Sequence, residues 1–161
     1  MPVFIAFLTL LGVTMTMQDD ASIVARHDQV WFASQPDESD LDAWAQAGAG
    51  IVINSRTPEE TAGLPFDLAA AVEARGMRYV EMPIGGAHGA DPSLTTALTE
   101  ILASQDGPVV MHCRSGTRSA HLYAAYLVST DAAGEDPFTT MNWPGGRDTN
   151  LVRALLPPAN E

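Results

Sequence analysis

The sequence predicts one α/β domain whose mostly parallel sheet is covered by helices on both faces. Short apolar segments rich in β-branched residues, typical of strands buried on both faces, alternate with longer segments that carry apolar residues at helical spacing. This alternation favours right-handed crossovers between parallel strands. A chain of 161 residues is sized for a single domain, which we expect to span residues 21–161.

The elements can be placed from the turn and cap residues between them. Strands are predicted at residues 23–25, 30–33, 51–53, 79–84 and 108–111. Helices are predicted between Asp37 or Ser39 and Gly48, around Leu68 and Val72, from Asp91-Pro92 onward, over residues 120–128 and over residues 151–155. Thr57 and Glu60 have the spacing of a capping box. Residues 131–146 match no element pattern.

Residues 1–20 form a separate apolar segment. No Lys or Arg precedes Arg26, so the charged start of a secretory signal is missing. The run of about 11 apolar residues is shorter than the roughly 20 that span a bilayer, and we expect no stable membrane span. An atypical signal peptide, a start site placed too early and a docked helix remain open. We expect a cytoplasmic protein, or an exported one if the segment acts as a signal peptide.

The composition excludes several kinds of partner and chemistry. A formal net charge of -12 repels the phosphates of nucleic acid. All eight basic residues are arginines, which excludes Schiff-base chemistry on lysine. Because Cys113 is the only cysteine, neither a disulfide within the chain nor a CxxC redox pair can form. We expect no cofactor and no metal, since His88 lacks a second histidine or cysteine at ligand spacing.

The most informative segment is the turn that follows the strand at residues 108–111. There Cys113 lies between a predicted strand and a predicted helix, where backbone N–H groups and the positive end of the helix favour an anion and therefore a thiolate. We predict that Cys113 is a nucleophile and that Arg118 binds an anionic substrate beside it. The other predicted anion-binding residues are Arg114, Ser115, Gly116, Thr117 and Ser119.

Three further residues are candidate accessory groups. His112 precedes the cysteine, and we expect it to brace the loop without titrating in catalysis. Arg56 follows a strand at the same predicted end of the sheet, where it could reach the anion or pair with a nearby glutamate. Asp91 is explained by helix capping, with a role as a displaced general acid as the alternative.

The run from His112 to Ser119 resembles the signatures of protein tyrosine phosphatases and of rhodanese sulfurtransferases. Together with residues 33–36 and 52–56, it makes residues 23–128 look like the small bacterial family of beta-lactamase-hydrolase-like, phosphatase-like domains. The resemblance implies a protein-tyrosine-phosphatase-like three-layer α/β sandwich. It also implies an enzyme with a cysteine nucleophile.

Two departures from the phosphatase pattern favour sulfur transfer. Four residues separate Cys113 from Arg118, which is the rhodanese spacing, whereas tyrosine phosphatases have five. Where phosphatases of this fold supply an aspartic acid to protonate the leaving group, this chain has Gly85-Gly86. The first hypothesis is therefore a sulfurtransferase that forms a persulfide on Cys113 and passes the sulfur to an external thiol. The alternatives are a phosphatase acting through a cysteinyl-phosphate and a non-catalytic anion-binding or thiol-sensing module.

Overall fold

A computed structural model describes residues 22–159 of the chain as one sheet between two layers of helices. The apolar segment at residues 1–20, and with it the three interpretations of that segment, lies outside the described residues. In the described part of the chain, no helix has the length and apolar content needed to cross a bilayer.

The sheet has five strands within residues 22–159, in the order β1-β2-β5-β3-β4. Only the pairing of β1 with β2 is antiparallel, and the remaining pairs are parallel, as predicted. The strands are β1 Ile23–His27, β2 Val30–Ala33, β3 Ile51–Asn54, β4 Arg78–Glu81 and β5 Val109–His112.

Helices cover both faces of the sheet. They are α1 Glu38–Gln46, α2 Pro58–Ala62, α3 Leu68–Glu73, α4 Ser93–Ser104, α5 Thr117–Ser129, α6 Pro137–Thr140 and α7 Thr149–Leu155. Side chains alternate along each strand, so Val30 and Phe32 of β2 join the core under α4 to α7. Trp31 joins the second core, under α1 and α3. Burial of both faces explains why the central strands read as continuous apolar runs.

The parallel strands all end at one edge of the sheet. The register pairs His112, the last residue of β5, with Ala33 of β2 and with Asn54 of β3, and Asn54 with Glu81 of β4. The segments that leave these strands therefore gather at a single edge, which is where ligands bind in open α/β sheets. Residue 113 follows β5 at the centre of that edge.

Several element boundaries differ from the prediction by a few residues, and two of the differences have a clear local cause. β4 ends at Glu81 rather than at residue 84, because Pro83 has no N–H to donate to the ladder. Backbone bonds nevertheless continue on both sides of it, from Met82 N to Asn54 O and from Ile84 N to Ser55 O. Helix α4 begins at Ser93, and the carboxylate of Asp91 accepts its backbone N–H at 2.9 Å.

Residues 134–148 include the short helix α6, which packs against α5. Asp136 caps α6 and forms an ion pair with Arg147 at 2.8 Å. Trp143 is buried, with its ring edge-to-face on Phe32 at 6.2 Å. We name residues 134–148 the C-terminal strap, a segment for which the sequence predicted no element.

His121 fastens the end of this strap to the first turn of α5. Its Nε2 accepts the backbone N–H of Asp148 at 2.8 Å, and its Nδ1 lies 2.7 Å from the carbonyl oxygen of Thr117. Because Nε2 accepts a hydrogen bond, Nδ1 carries the ring proton and donates it to Thr117. The strap is thus connected by hydrogen bonds to the helix that begins next to Cys113.

Truncation of the strap's tryptophan should destabilise the domain strongly. Trp143→Ala removes a ring that is 3% exposed, and we expect the free energy of unfolding to fall by about 3–5 kcal/mol. Pro144→Ala, at an exposed neighbouring position, should change it by less than about 0.5 kcal/mol. Urea unfolding followed by tryptophan fluorescence and circular dichroism measures both. Equal, small effects would contradict the packing described for the strap.

Candidate active site

Cys113 is the first residue after the central strand β5, and α5 begins four positions later at Thr117. The backbone N–H of Gly116 points at its sulfur, with Gly116 N 3.1 Å from Sγ. Gly116 has a φ of +87°, a backbone conformation that residues with a Cβ atom rarely adopt. A Cβ atom there would also lie 3.1 Å from the Trp143 ring and 3.2 Å from Ala33 O. The glycine therefore lets the turn close around the sulfur.

The sulfur lies deep in this turn. The Cys113 residue is 1% exposed, whereas Arg114 and Ser115, which follow it, are exposed. Arg114 is attached to the chain beyond β2, because its carbonyl oxygen accepts the N–H of Gln35 at 3.1 Å. The hydroxyl groups of Ser115 and Thr117 lie 3.0 Å apart across the turn. The loop thus has a buried floor and a polar, solvent-facing rim.

Arg118 is held in place by a bidentate ion pair with Glu60 of α2. Its Nη1 and Nη2 lie 2.7 and 2.9 Å from the two carboxylate oxygens, and Nη1 also donates to Ile84 O at 3.0 Å. The hydrogen bond from Arg118 lowers the pKa of Glu60 to about 2, with help from the Thr57 N–H. The same bond raises the pKa of Arg118, as does the charge of the nearby Cys113 sulfur. Arg118 is therefore a fixed cation close to the thiol.

Arg56 lies at the same edge but already has partners. Its Nη1 donates to Gln35 Oε1 at 2.8 Å, and its Nε lies 3.6 Å from Glu60 Oε1. Its backbone N–H donates to the buried side chain of Asn54 at 2.9 Å. Of the two alternatives predicted for Arg56, the ion pair with a nearby glutamate is present, and both arginines share Glu60.

His112 braces the loop from below. Its Nδ1 lies 3.3 Å from the carbonyl oxygen of Cys113, and the residue is fully buried. Burial lowers the pKa of His112 to about 4, with the charge of Arg56 acting in the same direction. The ring is therefore neutral near pH 7.

Ser119 and Asp91 have partners other than the sulfur. The Ser119 hydroxyl was expected to face the thiol or its ligand, but it donates to Ser55 Oγ at 3.2 Å and connects α5 to the end of β3. Asp91 is exposed, and its carboxylate accepts the N–H of Ser93. That hydrogen bond is the main reason why the pKa of Asp91 lies below its ordinary value. A carboxylate with a lowered pKa is a poor proton donor, which disfavours the acid role. The N-cap position of α4 is occupied by Pro92 rather than by the predicted Asp91, whose carboxylate accepts the first helical N–H from one residue further back.

The structure also brings in residues that sequence reasoning missed or used only in part. Glu60 was predicted as one half of a capping box, and the box is present, but the same carboxylate binds Arg118. Ser55, Gln35 and Trp143 were not predicted as neighbours of the loop. All of these contacts join segments far apart in sequence, and no local pattern identifies them. The only sequence signal was that Ser55 and Gln35 follow strands that end at this edge.

The arrangement combines a recessed thiol, an N–H donor at 3.1 Å and a fixed guanidinium, which are the parts needed to bind an anion and attack its central atom. Within residues 22–159, no three His, Cys, Asp or Glu side chains cluster in a way that would hold a metal ion.

Solved structures share this fold. Tk-PTP in its active form superposes with a TM-score of 0.64 at 22% identity, over 83% of this chain and 95% of that one. A variant of TpbA from P. aeruginosa in complex with pTyr superposes with a TM-score of 0.54 at 15% identity, over 86% of this chain and 93% of that one. These similarities confirm the predicted phosphatase-like three-layer sandwich.

Proteins of similar sequence identify the family within this fold. A beta-lactamase hydrolase-like protein from Agrobacterium fabrum is 31% identical over 103 residues, which are 60% of this chain and 23% of that protein. The chain thus spans about a quarter of the length of the curated relatives that it matches. The family described as "Beta-lactamase hydrolase-like protein, phosphatase-like domain" matches residues 23–133. None of these similarities supports a rhodanese-type loop, and the matching family is one of phosphatase-like domains. The chain belongs to this family of phosphatase-like domains.

Proposed function

We propose that this chain is a phosphoric monoester hydrolase that acts through a cysteinyl-phosphate on Cys113. The observation that carries the proposal is the pairing of the recessed sulfur, 3.1 Å from Gly116 N, with a guanidinium that Glu60 and Ile84 O hold in place. Membership of a phosphatase-like family supports this choice of reaction.

The proposed reaction has two steps. The Cys113 thiolate attacks the phosphorus, an S–P bond forms, and the P–O bond to the leaving group breaks. Arg118 and the N–H groups of the turn from Arg114 to Thr117 bind the non-bridging oxygens as their charge develops. Water then attacks the cysteinyl-phosphate, the P–S bond breaks, and inorganic phosphate leaves with the thiolate restored.

The length of the cysteine loop alone does not decide between sulfur transfer and phosphate-ester hydrolysis. The count of four residues between Cys113 and Arg118 fixes how many amides the turn can offer. The rim of the site also includes chain from the ends of β2, β3 and β4, through Gln35, Arg56 and Gly85. Because these segments also border the site, the rhodanese spacing favours a sulfurtransferase without excluding phosphate as the bound anion.

A small anionic substrate agrees with the charges of the site. With a formal net charge of -12, the chain repels anions at long range, and the arginines at this edge form a local exception. A structural neighbour, the TpbA variant, was crystallised with pTyr. An aryl phosphate is the substrate class that we propose here.

The second candidate is the sulfurtransferase. The observation that favours it is the rhodanese spacing between Cys113 and Arg118. It requires a sulfane-sulfur donor and an external thiol or cyanide as acceptor, because Cys113 is the only cysteine.

Replacement of the nucleophile separates the two candidates. Cys113→Ser should lower turnover of p-nitrophenyl phosphate by at least about 10³-fold while phosphate binding persists, because Arg118 and the backbone donors remain. Initial rates and isothermal titration with phosphate measure the two quantities. Ser129→Ala, an exposed position at the far end of α5, serves as the control and should leave the rate unchanged.

Two results would contradict the phosphatase proposal. One is equal p-nitrophenyl phosphate turnover by Cys113→Ser and the wild type. The other is turnover of thiosulfate with cyanide, accompanied by a persulfide adduct on Cys113, in a protein that hydrolyses no phosphate ester. The second result would establish the sulfurtransferase.

Loss of the carboxylate that holds Arg118 should weaken catalysis and change the acid stability. Glu60→Gln should lower kcat/KM for p-nitrophenyl phosphate about tenfold, equivalent to roughly 1.4 kcal/mol of transition-state stabilisation. The folded pKa of Glu60, about 2, lies below the ordinary value of 4.5, so its stabilising effect is fully present above pH 4.5. That effect is lost as the pH falls towards 2.

Urea unfolding of the wild type and Glu60→Gln between pH 2 and pH 7 tests this loss of stability at low pH. The difference in unfolding free energy should be constant above about pH 5 and shrink below pH 4.5. Glu73→Gln, exposed at the end of α3, is the matched control. A difference that stays constant down to pH 2 would show that Glu60 does not hold Arg118 as a carboxylate.

A further inference from the structure

The loop that follows β4 lies directly beside the proposed anion site. Arg118 donates to the carbonyl oxygen of Ile84, and a Cβ atom on Gly85 would lie 3.8 Å from Arg118 Nη1. The loop at this position therefore borders the proposed anion site. Among residues 85–90, His88 is the only one with a titratable side chain.

The chain folds this loop into a compact turn with His88 at its end. A short 3₁₀ turn covers Gly86–His88, and Gly85 N donates to Gly89 O at 2.8 Å. Positive φ angles at Gly85, Gly86 and Gly89 make this closure available to glycine and costly for other residues. The glycines therefore allow the tight turn that carries His88.

The turn rests on the start of α2. A Cβ atom on Gly86 would lie 3.9 Å from the Thr57 methyl group, and Nε2 of His88 lies 3.8 Å from Glu59 Oε2. In the described part of the chain, the other ring nitrogen, Nδ1, makes no hydrogen bond. Glu59 stands next to Glu60, so one helical turn presents a carboxylate to His88 and a carboxylate to Arg118.

We propose that His88 is the general acid of this phosphatase, with Glu59 as the residue that positions it. The proposal rests on the phosphatase function proposed above. As the P–O bond breaks, the imidazolium gives a proton to the leaving oxygen, and the products are an alcohol or phenol, neutral His88 and the cysteinyl-phosphate. The neutral ring then takes a proton from the water that attacks phosphorus, which restores the imidazolium.

Histidine is the side chain that enzymes use most often as a general acid and base. The charged group beside the His88 ring is Glu59, whose neighbour along α2, Glu60, binds Arg118. Asp91, the acid that the sequence offered, instead accepts the N–H of Ser93. Gly85 and Gly86 stand where an aspartic acid was expected. The same loop nevertheless carries a proton donor, His88, two positions after Gly86.

The test compares leaving groups. Phenol needs a proton as it departs, whereas p-nitrophenol leaves readily as an anion. His88→Asn should lower kcat for phenyl phosphate about 100-fold and kcat for p-nitrophenyl phosphate less than about threefold. Glu59→Gln should show the same selectivity with a smaller loss. Asp91→Asn should show none, and circular dichroism with urea unfolding verifies that each variant is folded.

Several outcomes would overturn the role of His88. They are an equal loss for both substrates, no loss for either, or a selective loss in Asp91→Asn in place of His88→Asn. If His88→Asn does not fold, the selectivity of Glu59→Gln decides the matter in the same way. Failure of the wild type to hydrolyse either ester would contradict the phosphatase function itself, and the role of His88 with it.

Discussion

The ion pair between Glu60 and Arg118 is the interaction on which the geometry of the site depends. It joins α2, at one side of the sheet edge, to the helix that begins at the cysteine turn. Both oxygens of the carboxylate are used, and such bidentate pairs fix orientation as well as distance. Glu60 is itself fixed, because it closes a capping box with Thr57. A local feature of helix initiation thereby positions a cation close to the Cys113 sulfur.

The sequence alone predicted those features that depend on local physical rules. Strands buried on both faces appear as apolar runs, and the capping residues Asp37 and Thr57 mark helix starts because a side chain must satisfy free N–H groups there. The placement of Cys113 at the edge where parallel strands end followed from element order alone. The sequence alone therefore supported the fold class and the centre of the site. It did not give the order of the strands in the sheet.

What the sequence could not show were contacts between distant segments. The strap at residues 134–148 has too few periodic residues to predict an element, yet Trp143 packs on Phe32 and closes over Gly116. The second role of Glu60 was hidden because its first role, capping, explained it fully. The similarities to phosphatase-like proteins do not support the first hypothesis of sulfur transfer. That hypothesis rested on the length of the cysteine loop and on the missing aspartic acid at residues 85 and 86, and it left the neighbouring strand ends out of account.

The central claim is that Cys113 forms a covalent bond to phosphorus. Rapid acid quench of the wild-type enzyme during turnover of p-nitrophenyl phosphate, followed by mass spectrometry of the peptide that contains Cys113, tests it directly. The account predicts a phosphoryl adduct on that peptide which appears within the first turnover and decays as phosphate is released. Steady turnover with no phosphoryl adduct on Cys113 at any time would contradict it.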